Sequence, residues 1–383
     1  MIVNIEFFDA EPIENVITSL NYKIDKTIYF GYDDVMEKQK KSTERFLKKY
    51  CGVKEVVFHA LSDRNLSSVI KTMGKVIEQE KAQKNQIFFD ITGGEDLLLV
   101  AFGMLAERYH APLHRYEIET QKLIELNAED VTPISRSAKE EKVALTLDGF
   151  IELRGGVINY HLQKDVKNLY EPEFAKDIEK LWEISSKYGE KWNLFADFLR
   201  RCCLPDQEMG VDITGKEVLA ALRKINRFRS VRELGRILKD CAQGGMLENF
   251  EHTKERLRFQ YKNSKIKELL WDAGSILEMH TFMEERIGAD DCRVGVHLDW
   301  DGVIYNHSGK DTLNEIDVLS LRGVIPTFIS CKNGSINQMA LYELQTVAEK
   351  FGGKYAKKVL AAPQGLNDSH SLRAKEMGIE LRC

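Results

Sequence analysis

No apolar run in the sequence approaches the length of a membrane span. The longest candidate, "LLLVAFGMLA" at 97–106, is bounded by charges and reads as a buried core helix. The opening "MIVNIEFFDA" lacks the basic start and cleavage site of a secretory signal. Seven cysteines are present without any CxxC, and Cys202 and Cys203 are adjacent. An odd, scattered set argues against a zinc site or a disulfide framework and points to a reducing cytoplasm. Neither a GxGxxG fingerprint nor a Walker A sequence occurs, so a dinucleotide or nucleoside triphosphate is not directly indicated. There is no internal repeat and no low-complexity segment.

What is there describes a globular α/β protein. The 383 residues are 43% hydrophobic and 30% charged, enough for two or three domains. The net charge of −5 hides an asymmetry. Residues 216–268 hold 14 Lys+Arg against 7 Asp+Glu, a local excess of +7. A basic middle in an acidic chain permits a nucleic-acid partner, and a solvated helical surface is the alternative.

Strand-like runs at 2–8, 27–32, 55–61 and 86–92 alternate with amphipathic stretches, which predicts a mainly parallel sheet covered on both faces. The runs at 113–120 and 122–128 read as a terminal hairpin. Residues 136–170 form a bridge with a Gly-Gly turn, and about 171–268 reads as mostly helical. "ELLWDAGSILEMHTFMEERIG" reads as one helix. "CRVGVHLDWDG", "EIDVLSLRG" and "IPTFISCK" then read as a meander, followed by a helix ending at Gly352-Gly353 and a further strand. The expected division is 1–135, 136–268 and 269–383.

Two stretches carry chemistry. In "FFDITGGEDLLL" (88–99), Gly93 and Gly94 let backbone approach a ligand at the positive start of the next helix. Thr92 is placed to cap that helix or donate its hydroxyl. A tight strand-to-helix turn explains the same residues. Loops at the same sheet edge add "FDAEPIENV" (8–16), with Pro12 placed to start a helix, and "LSDRNLSSV" (61–69). There Arg64 and Asn65 suit a phosphate or base, or an ordinary turn.

The second stretch is "NEIDVLSLRGVIPTFISCKNG" (314–334). Glu315 and Asp317 lie two apart on a strand and are expected to share a face, as are Ser330 and Lys332. With Glu278 in the preceding helix, such a set suits Mg²⁺ or Mn²⁺ and hydrolysis of a phosphodiester, with Lys332 orienting water or neutralising charge. A plain strand end is the structural alternative.

The pairing of "FFDITGGEDLLL" with "GSILEMH", "NEIDVLSLRG" and "FISCKNG" resembles the CARF-domain nucleases of type III CRISPR systems. These join a Rossmann-like CARF sensor of cyclic oligoadenylate to a restriction-endonuclease-like domain of the PD-(D/E)xK type. The resemblance spans nearly the whole chain and is weakest over about 136–268. It implies a homodimer holding one ring, cyclic tetra-adenylate, across its two-fold axis. It also implies metal-dependent cleavage of single-stranded RNA and DNA and nicking of duplex DNA. The sensor motif falls on Thr92, Gly93, Gly94 and Glu95, with the first loop at Asp9, Ala10 and Glu11. The nuclease motif falls on Glu278, Asp317 and Lys332, with Glu315 beside them. Ser330 departs from the pattern, which has Asp or Glu there. The Cys331 carbonyl, Glu315 and Glu343 are the available replacements, and the Ser330 hydroxyl could hold a metal-bound water.

A rival reading is a ligand-sensing nucleic-acid-binding regulator with a degenerate nuclease fold. In it Arg223, Arg227, Arg232 and Arg236, on roughly one helical side, contact phosphates. In the nuclease reading the same residues line a substrate groove.

Overall fold

The computed structural model describes all residues except 127–130, 134–143, 163–170, 203–208, 226–230, 305–312 and 335. Seven strands build the first sheet: β1 (Ile2–Phe7), β2 (Lys26–Gly31), β3 (Glu55–Ala60), β4 (Gln86–Asp90), β5 (Leu113–Glu117), β6 (Lys122–Leu126) and β7 (Val131–Pro133). Their order is β3-β2-β1-β4-β5-β6-β7. The first five are parallel, and β5–β6–β7 close the edge antiparallel. The six expected strands are present, and three-residue β7 is an addition.

Alternation along these strands feeds two cores. Val3, Ile5, Phe30 and Phe89 face the Leu66–Ala82 and Asp96–Tyr109 helices. Tyr29, Phe88 and Tyr116 face the other side. The Asp96–Tyr109 helix buries only one flank. Leu98, Ala101, Phe102 and Leu105 are inside, whereas Val100 and Met104 are 52% and 53% exposed. The run at 97–106 is therefore not wholly core. The helix expected at Pro12 shortens to Ile17–Asn21. Asx-type bonds take the preceding loop instead: the Asp9 and Glu11 N–H groups donate to Asn15 Oδ1 and Asp9 Oδ1 at 2.7 and 2.8 Å.

The linker stretch gives an edge strand, β8 (Val157–Ile158). Helices Pro172–Tyr188 and Glu190–Cys202 follow, broken at Gly189. The region expected to be mostly helical also holds a three-stranded antiparallel sheet of β9 (Gly210–Thr214), β10 (Leu247–His252) and β11 (Arg256–Tyr261), in the order β10-β11-β9. Arg223 ends the Gly215–Arg223 helix, while Arg232 and Arg236 belong to Val231–Gln243. Arg227 lies outside the described residues. Arg223 thus does not share a helix with Arg232 and Arg236.

The last sheet comprises β12 (Asp291–Asp299), β13 (Leu313–Arg322), β14 (Ile325–Cys331), β15 (Lys357–Ala361) and β16 (Ile379–Arg382). Its order is β16-β15-β14-β13-β12-β8, with the expected β12–β13–β14 meander antiparallel. The single helix expected before it is two, Ser264–Trp271 and Ser275–Glu285. Asp272 makes the break, accepting Gly274 N–H at 3.1 Å and Ser275 Oγ–H at 2.6 Å. Phe8, Phe46, Phe150, Phe328 and Phe351 form one core shared by the first and last sheets. Trp192, Phe195, Phe282, Val318 and Ile329 form another on the far face of the last sheet. Among the described residues no helix is long and apolar enough to cross a membrane.

Candidate functional site

The Gly93-Gly94 turn is held from below. Asp90 ends β4, and its Oδ1 accepts the Thr92 N–H and hydroxyl at 2.8 and 2.5 Å. The Thr92 oxygen then accepts Tyr116 N–H at 2.9 Å. Thr92 therefore ties β4 to β5 and does not cap the helix; Glu95 occupies the N-cap position. A Cβ on Gly93 would lie 2.9 Å from Glu14 Oε2 and 3.2 Å from Asp9 Cβ. Gly94 has φ +131°, and its N–H donates to Asp9 Oδ2 at 3.0 Å. Gly94 is thus required by its backbone conformation, and Gly93 by the Asp9 and Glu14 side chains packed against it.

Around the turn, Tyr32 donates its hydroxyl to Glu95 Oε1 at 2.6 Å. Arg64 covers the Tyr32 ring at 4.7 Å and reaches Glu95 at 3.8 Å. Burial and the Glu95 carboxylate push the Tyr32 phenol up to about 12. Tyr32 was not singled out in the sequence; its place at the end of β2, on the same sheet edge, was the available signal. Asn65 caps the Leu66–Ala82 helix through Ser68 N–H, so its side-chain oxygen is engaged.

Beneath Thr92 the register sets Glu6 opposite Asp90. Burial, and the Asp90 charge for Glu6, raise both carboxyls, Glu6 well above its ordinary range. Unfolded, Glu6 titrates at about 4.3. Its favourable contribution is complete below that value and is lost as pH rises through the higher folded value. Glu6→Gln should therefore raise Tm at pH 8 and change it little near pH 4. Melting curves at both pH values check this, and an equal shift at both would contradict it.

The C-terminal cluster forms where β13 and β14 part. Their pairing ends at Val318–Ile329. Asp317 fills the gap, and its Oδ2 accepts Cys331 N–H at 2.6 Å, Ser330 Oγ–H at 3.2 Å and Lys332 Nζ–H at 3.4 Å. Burial, then the Asp317 and Glu278 charges, push the Cys331 thiol up. The first turn of Ser275–Glu285 carries Glu278. Asp317, Ser330, Cys331 and Lys332 are therefore brought together, and Glu278 lies one turn before Thr281, whose hydroxyl meets Cys331 Sγ at 3.6 Å.

Glu315 is not joined to them. It stands opposite His297 of β12, 4.0 Å away. Strand alternation fails at this point. Gly295 has φ +60°, and the Gly295–Asp317 pair is absent from an otherwise continuous register. Val294 and Val318 consequently enter one core, and Val296 and Ile316 the other. Two residues apart is then not the same face. Glu343 is exposed on the Gln338–Gly352 helix, between buried Leu341 and Leu344, away from the cluster.

The loop after β1 bonds to Arg154 and to the residues that follow the Gln338–Gly352 helix. Glu11 does not face the glycine turn. Its carboxylate pairs with Arg154 and accepts Lys354 N–H at 3.1 Å. Ala10 and Glu11 line a cavity of about 530 Å³ with Lys38, Arg154 and Lys350. Glu14, directly under Gly93, holds Lys354 Nζ at 2.7 Å and the Tyr355 hydroxyl. Lys354 and Tyr355 follow the Gln338–Gly352 helix, which itself follows Lys332. The side chains of Glu11 and Arg154 are 9% and 5% exposed. Arg154→Met should cost roughly 3–5 kcal/mol, the toll of leaving a buried carboxylate unpaired. Urea denaturation checks this, and a loss below about 1 kcal/mol would mean that the pair is not buried in solution.

No protein-family model and no curated protein matches the chain. Solved structures do. Protein VC1899 from Vibrio cholerae matches at 16% identity over 99% of this chain and 93% of its own, with a TM-score of 0.71. Can2 from Sulfobacillus thermosulfidooxidans, solved in complex with cyclic tetra-adenylate, matches at 14% identity over 100% of this chain and 95% of its own, with a TM-score of 0.66. The chain therefore has the fold of these two proteins over nearly its full length.

Proposed function

We propose that the chain is a cyclic tetra-adenylate-activated, metal-dependent endonuclease of type III CRISPR antiviral defence. It cleaves single-stranded RNA and DNA and nicks duplex DNA. The observation that carries the reading is Asp317, set where β13 and β14 part, with Cys331, Ser330 and Lys332 converging on one oxygen. The likeness to a cyclic tetra-adenylate-bound protein supports the activator. The sensor corresponds to 1–135, the linker and helical region to 136–268 and the nuclease to 269–383.

Among the described residues no three His, Cys, Asp or Glu side chains are grouped to hold a metal ion. Mg²⁺ and Mn²⁺ ask for less, because Mg²⁺ keeps several waters and takes one or two carboxylates. Asp317, Glu278 and the Cys331 carbonyl make a fitting set of hard oxygen donors. When bound, the ion supplies polarisation of the scissile phosphate and a more acidic water. Lys332 neutralises charge developing on the phosphate oxygens. Ser330 and the Cys331 N–H fix the Asp317 carboxylate, so its free oxygen keeps one orientation.

At the other end, the Gly93-Gly94 turn and the start of the Asp96–Tyr109 helix receive an anionic phosphate. Arg64 adds charge, and Tyr32 offers a ring face to a base. A ring with two-fold symmetry calls for a second copy of the chain. The exposed Val100 and Met104 beside the turn suit that contact. Gating follows if the ring prefers one arrangement of the Asp9–Asn15 loop, since Glu11 and Glu14 pass that arrangement to Lys354 and the nuclease unit. Calorimetry tests the reading: one ring per two chains is expected without metal. Met104→Asp should weaken both dimerisation, seen by light scattering, and ring binding. One ring per monomeric chain would overturn the dimeric sensor.

A further inference from the structure

The middle of the chain carries a surface that neither proposed site uses. The order is helix Glu190–Cys202, β9, helix Gly215–Arg223, helix Val231–Gln243, then the β10–β11 hairpin. With the sheet order β10-β11-β9, this is the element order of a winged-helix unit, Val231–Gln243 being the helix before the wing and β10–β11 the wing. Leu234, Ile237, Leu238 and Cys241 bury one side of that helix. Its two acids also turn inward. Glu233 pairs with Lys191, and Asp240 holds Lys187 and the Tyr188 hydroxyl at 2.6 and 2.7 Å. What remains outside is Arg232, Arg236, Lys239 and Gln243. The spacing i, i+4, i+7, i+11 makes one stripe. None of the three cations forms an ion pair among the described residues. Lys254 is exposed at the tip of the wing, which lies close to the helix: a Cβ on Gly235 would sit 2.9 Å from the His252 ring.

We propose that the Arg232–Arg236–Lys239 stripe docks duplex DNA and presents it to the Asp317–Lys332 site. Charge and shape select the partner. Three cations spread over about 10 Å of helix face a polyanion with one charge per about 1.7 Å. A helix about 10–12 Å across enters the major groove of B-form DNA, about 12 Å wide. The deep, narrow groove of duplex RNA excludes it, and a single strand has no groove. The first turn of Glu190–Cys202 links the stripe to the chemistry. There Lys191 holds Glu233, while Asn193 bonds Asn333, the residue after Lys332. Only the fate of the docked DNA rests on the nuclease reading; docking itself does not.

The test is fluorescence anisotropy of the full chain with a short DNA duplex, a duplex RNA and a single strand. It is run in EDTA without cyclic nucleotide across a salt series. The wild type should bind the DNA duplex most tightly. Arg232→Gln/Arg236→Gln/Lys239→Gln should weaken that binding by about tenfold or more and reduce the salt slope by about 2.7, at 0.9 per phosphate contact. Arg236→Gln alone should reduce it by about 0.9, which keeps the test decisive should the triple variant fail to fold. Unchanged affinity and slope in the variants, or a preference for RNA or a single strand, would overturn the proposal. Loss of cleavage with binding intact would bear on the nuclease reading instead.

Discussion

Asp317→Ala should reduce Mn²⁺-dependent cleavage by roughly a hundredfold or more while leaving cyclic tetra-adenylate binding unchanged. Changing a group that merely orients a metal ligand costs about 10–100-fold, and Asp317 is itself the proposed ligand. Three donors converge on its Oδ2, so its removal also leaves Cys331 N–H without its acceptor. Lys332→Ala should lose about 10²–10³ by removing a charge aimed at the developing oxyanion. Ser330→Ala deletes one neutral hydrogen bond of 3.2 Å and should stay within about tenfold of the wild type. Glu278→Gln should weaken cleavage more than Glu315→Gln or Glu343→Gln, because Glu278 sits one turn from Thr281, which meets Cys331, whereas Glu315 stands opposite His297 and Glu343 is exposed on a later helix. Initial rates at several Mn²⁺ concentrations measure all six. A wild-type rate for Asp317→Ala would remove the active-site assignment and bring the regulator forward.

Gly94→Val should abolish ring binding and activation together. At φ +131° a β-branched side chain is strained, and its Cβ would stand 3.1 Å from Leu99 Cδ2. The distortion moves the N–H that holds Asp9 and fills the space a phosphate needs. Asp317 and Lys332 lie on a different sheet, so any ring-independent cleavage should persist at the wild-type level. Undiminished ring binding in calorimetry would end the assignment of the glycine turn.

Much of this was legible in the sequence where local rules govern. The parallel sheet was readable because each β-type run was separated by a helical stretch. The Asp317, Lys332 and glycine positions were readable because spacing fixes them within one element or turn. What escaped depends on distant partners. β11 did show alternation in "RLRFQY", but the surrounding lysines and arginines masked it as helical surface. Glu315 was placed on the Asp317 face by simple parity, which the positive φ of Gly295, on another strand, disrupts. Glu11 looked like a ligand contact because nothing nearby announces Arg154, 143 residues away. Glu278 was named from the sequence, but the start of its helix was not legible, since it depends on the Asp272 turn.

Cleavage of labelled single-stranded RNA, single-stranded DNA and supercoiled plasmid by the full chain, with and without Mn²⁺ and with and without cyclic tetra-adenylate, bears most directly on the central claim. The account predicts strong cleavage only when ion and ring are both present, and little when either is withheld. Cleavage that persists in EDTA, or proceeds equally without the ring, would contradict it.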